Sequence, residues 1–237
     1  MRKRAQDFGL EFGRLLRGRF NAITDVPGVR IGHRTVWSDS PRVARTGVTA
    51  VIPGEGDIFE TPVFAAAHVI NGFGKSMGLI QLEELGNIET PILLTNTLNV
   101  GLAANALVDY VLTRHPDCTS LNPLIAECND ARLNHIQTRP VGRADVIAAI
   151  ASAQSGGVAT GAVGAGTGMV CYGYKGGIGT ASRLIRLPEA TFSLGAFVLS
   201  NFGRMGELTI KGQTIAPFFP EWDSGVKRKR AGDRSAL

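Results

Sequence analysis

The chain has 237 residues, of which 44% are hydrophobic and 19% are charged, and it contains 30 glycines. This composition excludes wholesale disorder and a collagen-like fibre, and the length suits one large domain with a substantial apolar core. The formal charge of +5 comes from the ends, because residues 1–20 carry +4 and residues 221–237 carry +2. The near-neutral body has no basic stripe, so we expect solvated basic ends and no nucleic-acid binding.

The cysteines and the hydropathy pattern indicate the compartment. Cys118, Cys128 and Cys171 form no CxxC pair and are odd in number, which is typical of a protein from a reducing compartment. Residues 1–20 lack the uninterrupted apolar stretch of a secretory signal, and no window approaches about 18 consecutive apolar residues. We therefore expect a cytoplasmic protein without membrane contact.

The predicted elements are short. Their order of strands, helices and again strands favours an α+β or layered α/β domain over a regular βαβ series. In chain order we predict strands at Val29–Val36, Gly47–Pro53 and Val63–Ile70, a helix at Met77–Leu85, a strand at Pro91–Thr95, a helix at Thr97–Arg114, a strand at Leu124–Ala126, a helix at Arg143–Ser155, a strand at Thr191–Leu199 and a hairpin at Gly206–Ile215. The domain is expected at residues 21–220, between a basic extension (1–20) and a basic linker (221–237).

Two glycine-rich motifs resemble nucleotide sites without matching them. Gly72–Ser76 ends like a phosphate loop, but Val69 stands where that loop needs a glycine, so a turn before the next helix is favoured. Gly164–Gly168 lacks the strand–loop–helix order of a dinucleotide fold. We expect its glycines to pack backbone against backbone or against a substrate, leaving N–H groups free for an oxyanion or carboxylate.

The candidate catalytic groups do not form a familiar triad. The four histidines show no metal-ligand spacing and no GxSxG elbow is present, so we expect no metal or cofactor and a nucleophile activated in another way. Glu127 and Asn129 follow a short apolar segment, where a carboxylate can hold a substrate ammonium and an amide can donate. A helix cap or turn is the local alternative for these residues. For Asn201 the local alternative is a turn.

The motifs taken together strongly resemble one family over about residues 20–205. They are Asn21–His33, Arg45–Ala50, Val69–Lys75, Glu89–Gly101, Ala126–Asp130 with Leu133-Asn134, Val163–Gly168 and Lys175–Thr180. In this order they resemble the DmpA-like aminopeptidases, the L-aminopeptidase/D-amino-acid esterase and β-peptidyl aminopeptidase family.

The resemblance implies a fold and a mechanism. The fold is a four-layer αββα sandwich like that of the ornithine acetyltransferases, and the precursor cuts itself at a Gly–Ser bond to free a serine. The serine's own α-amine, with a reference pKa of about 8, then serves as the base, so no histidine is needed. Glu127 corresponds to the acid that holds the substrate's free ammonium, and Asn201 to the oxyanion donor. Asn129 stands near the family's hydroxyl donor, often a tyrosine, and Ser235 at the cleavage site.

Two departures bear on activity. Arg234 replaces the glycine before the scissile bond, and glycine's permissive backbone is what allows such a bond to be strained. In the family a further C-terminal β segment follows the cleavage site, whereas this sequence has only two residues after Ser235. The resemblance therefore implies an α-subunit portion of an enzyme that acts on small peptides, amides or esters and forms a homo-oligomer. The alternatives are an inactive α chain that needs a separate β chain, and an acyltransferase of the same fold.

Overall fold

The computed structural model describes residues 4–218. The strands are Arg30–Ser38 (β1), Ala44–Ile52 (β2), Val63–Phe64 (β3), Asn87–Ile88 (β4), Ile92–Asn96 (β5), Leu124–Cys128 (β6), Val170–Cys171 (β7), Tyr174–Lys175 (β8), Gly177–Arg186 (β9), Thr191–Ser200 (β10), Thr209–Ile210 (β11) and Gln213–Thr214 (β12). The α-helices are Leu79–Leu85 (α1), Val100–Leu112 (α2) and Arg143–Ala151 (α3). The predicted mixed α/β class is therefore confirmed.

A four-stranded sheet carries the core, in the order β1-β2-β5-β6. Strands β1, β2 and β5 pair antiparallel, whereas β5 and β6 pair parallel, since α2 provides the crossover that a parallel pair requires. Helix α3 packs on β1 and β2, and α2 packs on β5 and β6. The side chains between sheet and helices include Val48, Leu93, Leu107, Ile125 and Val146, each fully buried. Burying a side chain of this size stabilises the fold by about 1.5–3 kcal/mol.

A long two-stranded ribbon, β9 paired antiparallel with β10, forms a second sheet. The 3-10 turn Ile23–Asp25 packs against it. The approach is close, since a Cβ atom on Gly195 of β10 would lie 2.9 Å from the Cα atom of Ile23. Phe192, Leu194 and Val198 of β10 remain more than half exposed. Among residues 4–218, β10 pairs with no strand other than β9.

The N-terminal segment contacts this ribbon at several points, although most of residues 5–20 are exposed, as expected of a solvated end. The Arg4 guanidinium donates to the carbonyl of Thr180 at 2.6 Å and to that of Asn21 at 2.9 Å. Further along, the Leu184 amide donates to the Leu16 carbonyl at 2.8 Å. Unpaired strand groups on β9 recruit this segment, since a strand edge offers free donors and acceptors.

Several predicted boundaries were wrong. The strand expected at Val63–Ile70 covers only Val63–Phe64, and the helix expected at Arg143–Ser155 ends at Ala151. The helix expected from Thr97 opens with a 3-10 turn at Thr97–Asn99. The structure adds strand β9, which the sequence did not predict. Within residues 4–218 no helix has both the length and the apolar character needed to cross a bilayer.

Candidate active site

Glu127 lies at the carboxyl end of β6, where the parallel neighbour β5 also ends. Its carboxylate accepts two hydrogen bonds, one from the Lys75 backbone N–H at 3.0 Å and one from the Thr97 hydroxyl. Among residues 4–218, no lysine, arginine or histidine forms an ion pair with it. The Glu127 carboxylate is thus held by neutral donors, and the described part of the protein does not neutralise its charge.

The loop over Glu127 contains the motif that resembled a phosphate loop. The Asn71 side chain accepts from the Phe73 amide at 2.9 Å, which closes a tight turn. The Lys75 ammonium bends back over the Phe73 ring, 3.7 Å from its centroid, and donates to the Phe73 carbonyl. The predicted turn is present, but it presents a backbone amide to Glu127, and α1 begins at Leu79 rather than Met77.

Asn201 follows β10 directly and meets the segment that follows β6. Its side-chain amide donates to the Asn129 carbonyl at 3.0 Å, and its side-chain oxygen accepts from the Val170 amide at 3.3 Å. A primary amide has two N–H donors, so the bond to Asn129 leaves a second one for another acceptor. The structure therefore brings Asn201 next to Asn129, two residues beyond Glu127.

The Asn129 side chain is engaged within its own turn. Its oxygen accepts from the Ala131 amide at 3.0 Å. Its contact with Asn201 runs through the backbone carbonyl instead. Ser235 and the rest of the predicted linker from residue 219 onward lie outside the described residues.

Cys128, between Glu127 and Asn129, is not a suitable nucleophile. Burial raises the pKa of its thiol to about 12, and the nearby charges of Glu127 and Cys171 act in the same direction. A thiol attacks as its thiolate, so this group stays protonated and inert. Its sulfur lies 3.7 Å from the Leu199 carbonyl of β10, a contact that joins the ends of β6 and β10.

The glycine-rich turn at Gly164–Gly166 packs backbone against backbone, as predicted. A Cβ atom on Gly166 would lie 2.5 Å from the Gly161 carbonyl oxygen. Two of the N–H groups that were expected to be free are already bonded: the Gly164 amide donates to the Thr35 hydroxyl at 2.9 Å and the Ala165 amide to the Thr49 hydroxyl at 3.2 Å. These donors hold the turn against β1 and β2 and are not available to an oxyanion.

Two features of the site were not predicted from the sequence. The Lys175 ammonium donates to the carbonyls of Gly166, Met169 and Gly176 at 2.8–3.0 Å, which ties the glycine-rich turn to the segment just before β9. Asp130, three residues after Glu127, is fully buried and accepts from the Asn134 side chain at 2.9 Å. Within residues 4–218, no group of three or more histidine, cysteine or acidic side chains is arranged to hold a metal ion.

Comparison with known proteins places this arrangement in a family. Residues 21–226 match Peptidase family S58, and the chain belongs to that family. It is 39% identical over 221 residues to the β-peptidyl aminopeptidase BapA of Sphingosinicella xenopeptidilytica, covering 90% of this chain and 54% of the relative. The chain thus spans about half the length of the curated relatives it matches.

Solved structures of similar proteins share the fold. The PH0078 protein of Pyrococcus horikoshii OT3 superposes with a TM-score of 0.90 at 46% identity, covering 93% of this chain and 65% of that one. The L-aminopeptidase D-Ala-esterase/amidase of Ochrobactrum anthropi gives 0.86 at 37% identity, covering 92% and 63%. That enzyme is described as a prototype for the serine aminopeptidases and as a variant of the Ntn hydrolase fold. The predicted family and fold class are confirmed.

Proposed function

We propose that this chain supplies the amine-binding and oxyanion-binding groups of a serine aminopeptidase that releases N-terminal residues from short peptides, amides or esters. The observation that carries this proposal is the Glu127 carboxylate, held by two neutral donors with no cation paired to it in the described region. An unneutralised carboxylate at a strand end suits the free ammonium of a substrate. A site for an N-acylated chain would have no use for this charge.

The chemical step in this proposal uses a serine nucleophile freed by self-cleavage. The hydroxyl of Ser235 attacks the substrate carbonyl while its own α-amine takes the proton. The oxyanion that forms accepts from the free N–H of the Asn201 side chain, and the Asn129 carbonyl fixes that side chain in place. The α-amine then gives the proton to the leaving amine or alcohol, and water hydrolyses the acyl-enzyme.

The proposal includes a C-terminal β segment or chain. Its support is the length of the relatives, of which this chain covers about half, together with the edge of β10 that is unpaired within residues 4–218 and the exposed apolar side chains of that strand. Such an edge pairs readily with another strand. Without that segment the chain would be an inactive α portion, which is the second candidate.

Two further parts of the proposal concern assembly and compartment. We propose that the enzyme is a homo-oligomer, in which a neighbouring copy would cover apolar side chains such as Phe64, Ile70 and Ile80, which are 88% to 98% exposed. We assign it to the cytoplasm, where the three cysteines, which are free in the structure, would stay reduced.

The proposal is tested with Glu127→Gln in the assembled, active enzyme. Loss of the charge should raise KM by about tenfold to one hundredfold for the para-nitrophenyl ester of β-alanine, the range expected for a hydrogen bond to a charged group. The para-nitrophenyl ester of propanoic acid, which lacks the amine, should be hydrolysed as before. An equal loss on both esters would refute the role of Glu127.

Glu89→Gln is the matched control. The Glu89 carboxylate also accepts hydrogen bonds from two neutral donors, the Asn122 backbone N–H at 2.6 Å and the Gln81 side-chain amide at 3.2 Å. Glu89 precedes strand β5, whereas the candidate site lies where β5 and β6 end. This variant should leave the ratio of the two KM values unchanged. The serine assignment is tested by intact mass: an assembled precursor that stays uncut between Arg234 and Ser235 contradicts it.

A further inference from the structure

The two donors to the Glu127 carboxylate come from different parts of the chain. The Lys75 amide belongs to the loop before α1, and the Thr97 hydroxyl belongs to the 3-10 turn that follows β5. Each donor reaches a different carboxylate oxygen, Oε1 from Lys75 and Oε2 from Thr97. The carboxylate is therefore fixed at both oxygens.

Strand register explains why Thr97 reaches Glu127. In the parallel pair, Thr95 of β5 lies opposite Glu127 of β6, and Asn96 lies opposite Cys128. Thr97 is the next residue along, at the edge of the sheet where β6 also ends. Threonine is branched at Cβ and has few χ1 rotamers, so its hydroxyl is a rigid donor.

The chemistry of the two donors leaves the carboxylate ready for a cation. A carboxylate has about four lone-pair positions, and one donor on each oxygen leaves about two for a ligand. A lysine or arginine in place of Thr97 would neutralise the charge and compete with an ammonium. The neighbouring Lys75 side chain is kept away, because its ammonium donates to the Phe73 carbonyl.

We propose that Thr97 is a positioning residue for amine recognition: its hydroxyl holds the Glu127 carboxylate in the one orientation that binds the substrate ammonium. This inference rests on the proposed function of Glu127 and assigns a separate residue to it. Glutamate has three side-chain torsions, and an exposed glutamate would lose that freedom each time a substrate binds. The Thr97 hydroxyl removes the freedom in advance, which is how preorganisation raises affinity.

The test replaces Thr97 by valine, which has the same shape without the hydroxyl, in the assembled enzyme. For the β-alanine ester, KM should rise by about tenfold while kcat changes by less than about twofold, the pattern of a lost binding contact. The propanoate ester should be unaffected. Thr97→Ser restores the hydroxyl and should return KM to within about twofold of the parent value.

Thr95→Val is the matched control. The Thr95 hydroxyl donates to the Gly47 carbonyl at 3.1 Å and does not contact Glu127, so this variant should lower the melting temperature without changing the ratio of the KM values. If Thr97→Val does not fold, Thr97→Ala removes the same hydroxyl without risk of overpacking. An unchanged KM for the amine ester, or an equal rise for both esters, overturns the positioning role.

The outcomes for Glu127 and Thr97 are distinguishable. If Glu127→Gln raises the KM of the amine ester and Thr97→Val does not, the positioning role alone is refuted. If neither variant raises it, the proposed function fails as well. In the double variant, Thr97→Val should add no further rise to that of Glu127→Gln, because the hydroxyl acts through the carboxylate.

Discussion

A partly buried histidine should make the stability of this protein depend on pH in the acid range. His33 lies in β1 directly opposite Thr49 of β2, and its Nδ1 atom is 2.9 Å from the Thr49 hydroxyl. A Cβ atom on Gly164 of the glycine-rich turn would lie 2.9 Å from the same ring nitrogen. Burial lowers the pKa of His33 from 6.5 to about 4, although a hydrogen bond with the Ala159 backbone acts in the opposite direction.

The sign follows from which state binds the proton. Between about pH 6.5 and pH 4 the unfolded chain protonates His33 and the folded protein does not, so stability falls as the pH is lowered. Each pKa unit is worth about 1.4 kcal/mol, so the fall in the pKa of His33 corresponds to at most about 3.5 kcal/mol of stability. Because the ring is only partly buried, we expect a loss of about 2 kcal/mol.

The assay is urea unfolding followed by circular dichroism at several values from about pH 7 to about pH 4.5. His33→Asn keeps a short polar side chain opposite Thr49 but cannot be protonated, so it should lose about 2 kcal/mol less than the parent protein over this range. His68→Asn, at an exposed histidine, is the matched control and should follow the parent. Parallel pH profiles for the parent and His33→Asn would refute the reasoning.

Two further predictions concern the buried residues Asp130 and Gly166. Burial raises the pKa of Asp130, although its hydrogen bonds act in the opposite direction. The stability that this group contributes is therefore fully present below its ordinary pKa of 3.8 and is lost as the pH rises through the pKa of the folded state. Asp130→Asn should therefore gain in stability relative to the parent as the pH increases, measured by urea unfolding; a constant difference would contradict this. Gly166→Ala should cost about 1–3 kcal/mol, because its Cβ atom would lie 2.5 Å from the Gly161 carbonyl oxygen. Gly157→Ala, where a Cβ atom would meet nothing within 4 Å, is the control in the thermal melt, and equal melting temperatures for the two variants would refute the packing argument.

The elements that the sequence predicts well are determined by residues that lie close together along the chain. The hairpin around Lys211-Gly212 forms as expected, since both residues have positive φ, a conformation that the turn requires. Strand β9 was missed, because its glycine-rich start has little local strand signal. It exists through pairing along its whole length with β10 and through contacts with residues 4–21.

Strand β3 is shorter than the predicted strand, although the composition of its segment favours a strand. Residues Val63–Ile70 have the β-branched and aromatic composition of a strand, but Phe64 and Ile70 are 98% and 93% exposed. Only Val63 and Phe64 form strand pairs among the described residues, with the two-residue strand β4, and the Ala65 amide adds one hydrogen bond to the Gly86 carbonyl. Strand propensity reflects packing on neighbouring strands, so the strand does not extend beyond the short partner that it finds.

The candidate site was predicted only as far as its motifs. Glu127, Asn129 and Asn201 follow from the family resemblance, but the donors that hold Glu127 do not, because Lys75 lies 52 residues away in sequence. The sequence contains one indication that Thr97 could lie near Glu127. Thr97 follows the predicted strand Pro91–Thr95, and Glu127 follows the predicted strand Leu124–Ala126. The carboxyl ends of parallel strands share one edge of a sheet, but sequence alone did not show that β5 and β6 are parallel neighbours.

The two groups that we assign to substrate binding, Glu127 and Asn201, are positioned by different sheets. Glu127 lies near the end of strand β6 in the four-stranded sheet, whereas Asn201 follows strand β10 of the ribbon. The hydrogen bond from the Asn201 side chain to the Asn129 carbonyl forms a junction between the two sheets. The Lys175 ammonium also ties the glycine-rich turn, which packs on β2, to the segment just before β9. A change at this junction would shift the proposed oxyanion donor, Asn201, relative to the proposed amine-binding group, Glu127, while leaving each group intact. Such a change should therefore lower kcat more than it raises KM, because the distance between Glu127 and Asn201 matters most when the substrate carbonyl becomes tetrahedral.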